Sequence, residues 1–262
     1  MLEKQTLQKN GTLTNEYIYD WALKLSAAAL EQKIPFKLLG ATAFIYRCPK
    51  HRELYSKFNR RLTDVDFMTY GSVDSTKIDK LLEDFGFKKQ QNYIWHASTR
   101  DLFVNDDGLL LDVFRDMLDF CHPVLFKNRL ESDLPTIELE EMVMQKLQIV
   151  EINDKDFKDL CVLFLEHNIG EEGGEDIDGR FLAKIFAKSW GFHHTATANL
   201  NKFKRYLNEI PVITGADRKV IRGKVNQLME IVAQEPKSLK WKLRSKIGTR
   251  MKWYKEVENI ER

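Results

Sequence analysis

Arg61-Leu62-Thr63-Asp64-Val65-Asp66-Phe67 is the stretch that decides how this chain is read. It places two carboxylates at i and i+2 within a run of strand-forming residues. Successive side chains of a strand point to opposite faces, so Asp64 and Asp66 share one face while Val65 and Phe67 take the other. Two anions held side by side repel each other, and a neighbouring cation relieves that cost. A hard divalent cation such as Mg²⁺ takes oxygen ligands from one or two carboxylates together with substrate phosphates. The pair therefore predicts a metal site.

The flanking sequence supplies a frame for it. Tyr17, Trp21, Leu25, Ala28 and Ala29 fall near helical spacing and predict a helix over 15–32, with Thr14 or Asn15 as N-cap. Pro35 stops that helix. Phe36-Lys37-Leu38-Leu39 reads as a short strand ending at Gly40, and 41–46 as the first turns of the next helix. The strand carrying the carboxylates runs over 64–70 and closes at Gly71. A helix over 75–85 buries Ile78, Leu81, Leu82 and Phe85 on one face, with Gly86 at its C-cap. Strands follow over 87–95, 99–104 and 109–114, the last two joined by the turn Asn105-Asp106-Asp107-Gly108.

Two further features converge on the pair. Gly40 stands at a strand-to-helix junction, where a missing Cβ lets a phosphate approach the backbone and a helix N-terminus favours anions. Asp112 lies in the otherwise apolar strand Leu109-Leu110-Leu111-Asp112-Val113-Phe114, where a lone carboxylate needs a reason. Three carboxylates beside a phosphate-binding turn are what metal-assisted phosphoryl or nucleotidyl transfer requires. Asp64 and Asp66 would bridge the metals. Asp112 would complete one metal shell or accept a proton from the incoming hydroxyl.

At these residues the chain resembles the nucleotidyltransferase superfamily that includes DNA polymerase β: strand, glycine turn, helix, Asp-x-Asp on the next strand, and a third carboxylate on a later one. More closely it resembles the AbiEii-type nucleotidyltransferases, toxins of bacterial abortive-infection systems. Gly40-Ala41-Thr42-Ala43-Phe44 stands where that group has its glycine motif, and Arg61 and Thr63 lead into Asp64-Val65-Asp66. Lys146 in Val143-Met144-Gln145-Lys146-Leu147 stands for the group's helical lysine, and Lys155-Asp156-Phe157-Lys158-Asp159-Leu160 for its later acidic motif. The resemblance covers roughly 36–165. It implies Mg²⁺ or Mn²⁺ as cofactor, a nucleoside triphosphate as substrate, and a nucleotide site built from Gly40, Ala41, Thr42, Arg61, Thr63, Lys146, Asp156 and Asp159. It also implies a toxin or phage-defence role with an antitoxin partner. Lys146 would meet the triphosphate as a point charge, and Asp156 or Asp159 would hold Lys146 or the nucleotide. One departure stands out. Ala41 replaces the second Gly or Ser of the motif, so its N–H remains while a hydroxyl is lost.

From about Glu138 the pattern turns helical. Leu139, Met142, Val143, Lys146, Leu147 and Val150 follow helical spacing, as do Phe157, Leu160, Cys161 and Phe164. Gly170-Glu171-Glu172-Gly173-Gly174 breaks this half, and helices are expected near 178–189, 196–208, 215–233 and 238–260. The expected fold is α+β: a nucleotidyltransferase-like mixed sheet with flanking helices over 1–135, then an all-helical C-terminal domain over 136–262.

Composition narrows the setting. A content of 43% hydrophobic and 31% charged residues is that of an ordinary water-soluble globular chain. No apolar run approaches the ~20 residues that span a bilayer. Met1-Leu2-Glu3-Lys4-Gln5 lacks the pattern of a secretory signal, and Cys48, Cys121 and Cys161 make no disulfide framework. A reducing cytoplasm is expected, with no membrane partner. The net charge of +2 hides an asymmetry: residues 201–262 hold 16 Lys+Arg against 7 Asp+Glu, leaving 25 against 32 for residues 1–200. The tail interleaves Lys240, Lys242, Arg244, Lys246, Arg250, Lys252 and Lys255 with Trp241, Trp253 and Tyr254, a composition suited to tRNA or other RNA, or DNA.

Plainer readings stand beside each of these. Asp64 and Asp66 could be solvated residues of a sheet edge, and Asp112 a structural partner of Arg61 or Arg115. Lys146 could snorkel from an amphipathic helix, and Asp156 and Asp159 could be first-turn acids favoured by the helix dipole. The basic tail could be a helix packed by its Trp face on the protein. His193-His194 and Cys121-His122 lack the two-plus-two spacing of a zinc site. The order of Gly40, Arg61, Asp64, Asp66 and Asp112 favours a metal-dependent nucleotidyltransferase acting on a hydroxyl of RNA, protein or a small molecule. The alternative is a related nucleotide- or RNA-binding protein impaired in catalysis, for which Ala41 speaks.

Overall fold

The structure is a computed structural model that describes residues 12–90 and 100–257. The distal part of the expected strand 87–95, Thr99, and the last residues of the expected helix 238–260 lie outside the described residues. The first half runs α1 (Asn15–Glu31), β1 (Lys37–Leu39), α2 (Gly40–Arg47), a 3₁₀ turn (Pro49–His51), α3 (Leu54–Lys57), β2 (Asp64–Thr69), α4 (Ser75–Asp84), β3 (Lys88–Lys89), β4 (Arg100–Val104), β5 (Leu110–Arg115), β6 (Met117–Asp119) and β7 (Pro123–Leu125). The second runs α5 (Leu139–Leu147), α6 (Asp154–Glu166), β8 (Ile169–Gly170), β9 (Ile177–Asp178), α7 (Gly179–Lys188), α8 (Trp190–Tyr206), α9 (Gly215–Gln234) and α10 (Leu239–Ile247). None of the described helices is long and apolar enough to cross a membrane.

These elements divide into two compact units. One comprises Met1–Arg47, Asn59–Leu118 and Leu125–Ile137; the other comprises Cys48–Phe58, Asp119–Val124 and Glu138–Arg262.

The first unit is built on a five-stranded mixed sheet of order β1-β2-β5-β4-β3. β2 and β5 run parallel at its centre, and β1, β4 and β3 are added antiparallel. The alternation read from the sequence sets which face is buried: Val65 and Phe67 are fully buried, while Asp64 and Asp66 on the other face are half-buried. Phe36 stacks on Phe67 with ring centroids 4.0 Å apart. α1 starts where the Thr14 side chain accepts from the Tyr17 N–H, and turns Ile18, Ala22, Leu25 and Ala29 inward. Each large side chain buried in this way contributes about 1.5–3 kcal/mol. The Asn105–Gly108 turn forms as expected. The Gly108 N–H donates to the Asn105 carbonyl, and Gly108 takes φ +81°, a conformation that costs a residue without Cβ nothing.

The second unit is a helical assembly that also holds the two-residue parallel pair β8–β9 on either side of the glycine-rich break. Two helices depart from the expected spans. α8 begins at Trp190 rather than near 196, because Ser189 caps the end of α7 and the start of α8 together, leaving no loop between them. α10 ends at Ile247 rather than near 260. Gly248 takes φ +60° there, and residues 251–257 continue without helix.

Candidate metal and nucleotide site

Parallel pairing places Asp66 opposite Asp112 in the β2–β5 ladder, on the face that also carries Asp64. One carboxylate oxygen from each of the three lies within 4.8 Å of the others. A strand pattern fixed by period two and a ladder in this register thus gather three anions at one point. Thr63 leads into the cluster, and its hydroxyl donates to Asp64 Oδ1 at 3.1 Å.

Gly40 closes the site from the β1 side. It begins α2 with φ +63°, and a Cβ built on it would overlap the Asp66 carboxylate. Both facts require glycine here. A carboxylate is thereby seated at the positive end of a helix, where the dipole favours negative charge. Ala41 is half-buried in the same first turn. Thr42 is buried, and its hydroxyl donates back to the Leu39 carbonyl at 3.2 Å, so it is engaged within the turn. Arg61 is exposed three residues before Asp64.

Asp112 is the most deeply placed of the three, at 1% exposure. Burial raises its pKa, and the nearby Asp64 charge adds to that; Arg100 acts in the opposite direction. Arg100 Nε donates to Oδ1 at 3.0 Å and Nη2 to Oδ2 at 2.7 Å, a bidentate fork. The partner of Asp112 is therefore Arg100, not the Arg61 or Arg115 considered from sequence. Arg115 instead pairs with Asp101, its Nη2 3.0 Å from Oδ2. The reason is register. Arg100 stands opposite Phe114 in the antiparallel β4–β5 ladder, one diagonal step from Asp112 on the same face. The fork sets one guanidinium against the deepest of the three carboxylates.

Lys146, Asp156 and Asp159 meet in the second unit. Lys146 on α5 reaches Asp156 Oδ1 at 3.0 Å and Asp159 Oδ2 at 2.8 Å on α6, and the Tyr55 hydroxyl donates to Asp159 Oδ1 at 3.0 Å. Asp156 also closes the capping box of α6 with Asn153. Asp159 is fully buried, so Lys146 neutralises a charge that has no access to water. Sequence reasoning missed Tyr55 and Arg100. A lone arginine two residues off the Asp112 register and a tyrosine far along the chain carry no local pattern.

No family model matches the chain, and no curated protein matches it. A solved structure that matches is the solution structure of the antibiotic-resistance factor ANT(2'')-Ia. It is 14% identical, covers 57% of this chain and 84% of its own, and superposes with a TM-score of 0.39. A likeness that distant decides neither fold nor function.

Proposed function

We propose that this protein is a divalent-metal-dependent nucleotidyltransferase, which moves a nucleoside monophosphate from a nucleoside triphosphate to a hydroxyl and releases pyrophosphate. The observation that carries the reading is the convergence of Asp64, Asp66 and Asp112 within 4.8 Å, beside the Gly40 turn. The donor set fits Mg²⁺ or Mn²⁺: three carboxylates that each offer a hard oxygen ligand within 4.8 Å of the others. A bound cation would polarise the phosphoryl group and offset charge on the attacking and leaving oxygens. The chain's own residues hold that arrangement. Gly40 leaves room for Asp66 at the α2 N-terminus, and Arg100 fixes the orientation of Asp112. In this reading Arg61, Thr63, Ala41 and Thr42 contact the nucleotide, Thr42 through its backbone because its hydroxyl is engaged. The AbiEii-like motif assigns Lys146 to the triphosphate as well; within the second unit that lysine is paired with Asp156 and Asp159.

The AbiEii-like motifs extend the proposal to a toxin or phage-defence role with an antitoxin partner, in a cytoplasm that keeps the three buried cysteines reduced. The acceptor is a hydroxyl of tRNA or other RNA, of a protein, or of a small molecule. Incubation with labelled nucleoside triphosphates, Mg²⁺ and total tRNA tests the reading. Label transfer by the wild type and none by Asp64→Ala is expected; equal transfer by both would overturn it.

One observation favours a second reading, a binding protein impaired in catalysis. Ala41 offers no hydroxyl to the phosphates, and that of Thr42 is turned to Leu39. Calorimetry with ATP and Mg²⁺ separates the two: binding without turnover selects the second.

A further inference from the structure

We infer that the second unit carries a binding site for single-stranded nucleic acid, in the cleft bounded by the start of α8, by α10 and by residues 252–255. The inference concerns a surface of this unit alone and does not rest on the chemistry of the three carboxylates.

The cleft is a built feature. Its volume is about 600 Å³, within the range of about 300–1,000 Å³ typical of ligand sites. α10 starts where Ser238 Oγ accepts from the Trp241 N–H, and stops at Gly248. Arg244 then ties the turn together, with Nη1 donating to the Gly248 carbonyl at 2.7 Å and Nη2 to the Met251 carbonyl at 2.9 Å. The strap that follows is docked closely. The Trp253 carbonyl lies against Gly191 where a Cβ would overlap it, and Trp253 Nε1 donates to Thr195 Oγ1 at 3.1 Å. The Lys255 N–H donates to the Cys121 carbonyl at 3.0 Å.

Its lining combines rings with cations. Trp241 and Tyr254 are half-exposed, and Arg244 lies 4.5 Å above the ring of Trp190. The Trp241 indole nitrogen is buried and has no partner among the described residues. Lys188 and Lys240 line the cleft, exposed and in no ion pair among the described residues. The positive charge continues beyond the cleft: residues 239–257 hold seven Lys+Arg, with Glu256 as their one acid. Lys242, Lys246 and Arg250 are all exposed.

That combination selects the ligand. Phosphates answer the cations, and flat rings answer the indole and phenol faces. A cationic surface that runs on past the cleft suits a chain of phosphates better than a single nucleotide. Bases reach aromatic faces only when unstacked, which points to single strands. An anionic membrane is the competing partner, since Leu239, Leu243 and Ile247 form an exposed stripe on α10. A helix lying in a membrane interface would send its tryptophan outward with that stripe. Trp241 is instead turned into the cleft, edge-on to His193 with ring centroids 5.1 Å apart.

Fluorescence anisotropy of the full chain with labelled oligouridylate and its DNA counterpart, in EDTA and without nucleotide, tests the inference. Failure of the proposed transferase chemistry cannot mimic its failure under these conditions. Binding is expected to weaken with salt by a log–log slope of about −0.7 per phosphate neutralised. Trp241→Ala should reduce affinity about tenfold. The exposed pair Lys188→Glu/Lys240→Glu should do so by at least about tenfold, while Lys80→Glu on α4 leaves it unchanged. The exposed substitutions keep the test decisive if Trp241→Ala fails to fold. Equal binding of RNA and DNA, or a preference for RNA, supports the site. No binding by wild type, unchanged binding by the charge reversals, or tighter binding to duplex or to phosphatidylserine vesicles would overturn it.

Discussion

Arg100 sets its guanidinium across both oxygens of Asp112, joining an arginine at 22% side-chain exposure to a carboxylate at 1%. The fork makes the deepest of the three acids tolerable in a sheet interior. Removing one partner of such a pair leaves an uncompensated buried charge, which costs about 3–5 kcal/mol; replacing both by apolar residues is often neutral. Arg100→Met is therefore expected to lower stability by about 3 kcal/mol, and Arg100→Met/Asp112→Leu to recover most of it. Urea denaturation of both variants checks this. A single-mutant loss below about 0.5 kcal/mol, the size of an ordinary surface change, would dismiss the fork as a structural pair.

Metal binding should show itself in stability as well as in activity. Asp64 and Asp66 repel each other and Asp112 when no cation is present. Asp64→Asn is thus expected to leave the metal-free protein as stable as wild type or more so, in line with the cost that functional sites impose on a fold. Mn²⁺ should raise the melting temperature of wild type, since a ligand that binds only the folded state stabilises it, and EDTA should reverse the rise. Asp64→Asn and Asp66→Asn should remove the response. A Mn²⁺ response that survives in both variants would place the metal elsewhere.

Gly40 and Gly86 form a matched pair for testing the turn. Both have positive φ, +63° and +83°, but a Cβ at Gly86 meets nothing within 4 Å while one at Gly40 meets Asp66. Gly86→Ala should carry only the left-handed backbone penalty, about 1–2 kcal/mol. Gly40→Ala should cost more and abolish the Mn²⁺ response by displacing Asp66. Thermal melts with and without Mn²⁺ compare them directly, and an intact response in Gly40→Ala would remove the turn from the site.

What could be read in advance followed from local periodicity. The alternation of Asp64-Val65-Asp66-Phe67, the Gly40 junction and the 105–108 turn each depend on neighbours along the chain, and all three stand in the structure as read. Pairing partners depend on register, which no single segment encodes. The diagonal contact of Arg100 with Asp112, and that of Tyr55 with Asp159 across a separation of 104 residues, are therefore visible only in three dimensions. α10 misled for a different reason. Its basic and aromatic residues run on past Gly248 without a change in composition, so only the positive φ of that glycine marks the end.

Lys146 should be needed for folding before any nucleotide is considered. Asp159 is fully buried between it and Tyr55. Lys146→Met removes the ammonium 2.8 Å from that buried carboxylate, at an expected cost of about 3 kcal/mol. Lys146→Met/Asp159→Leu should restore most of it. A urea titration that finds Lys146→Met as stable as wild type would show that the lysine is dispensable to the α5–α6 contact.

His122 offers a pH test of the second unit. Its ring is 4% exposed, stacks on Phe192 at 5.2 Å, and shares a hydrogen bond between Nε2 and Thr195 Oγ1 at 2.8 Å. Burial pushes its pKa from 6.5 down to about 4, and chiefly burial does the same to His193, also to about 4. With the folded pKa below the unfolded one, the unfolded chain takes up the proton first as pH falls. The stability that depends on neutral His122 is therefore complete above 6.5 and is lost progressively as pH drops from 6.5 towards about 4. For His122 this amounts to something on the order of 3 kcal/mol. Urea midpoints measured near neutrality and near pH ~5 should fall for wild type and fall less for His122→Asn, which keeps a polar side chain that cannot titrate. Equal declines in the two proteins would mean that His122 titrates in the folded state as it does in water, and that the Thr195 contact does not hold it neutral.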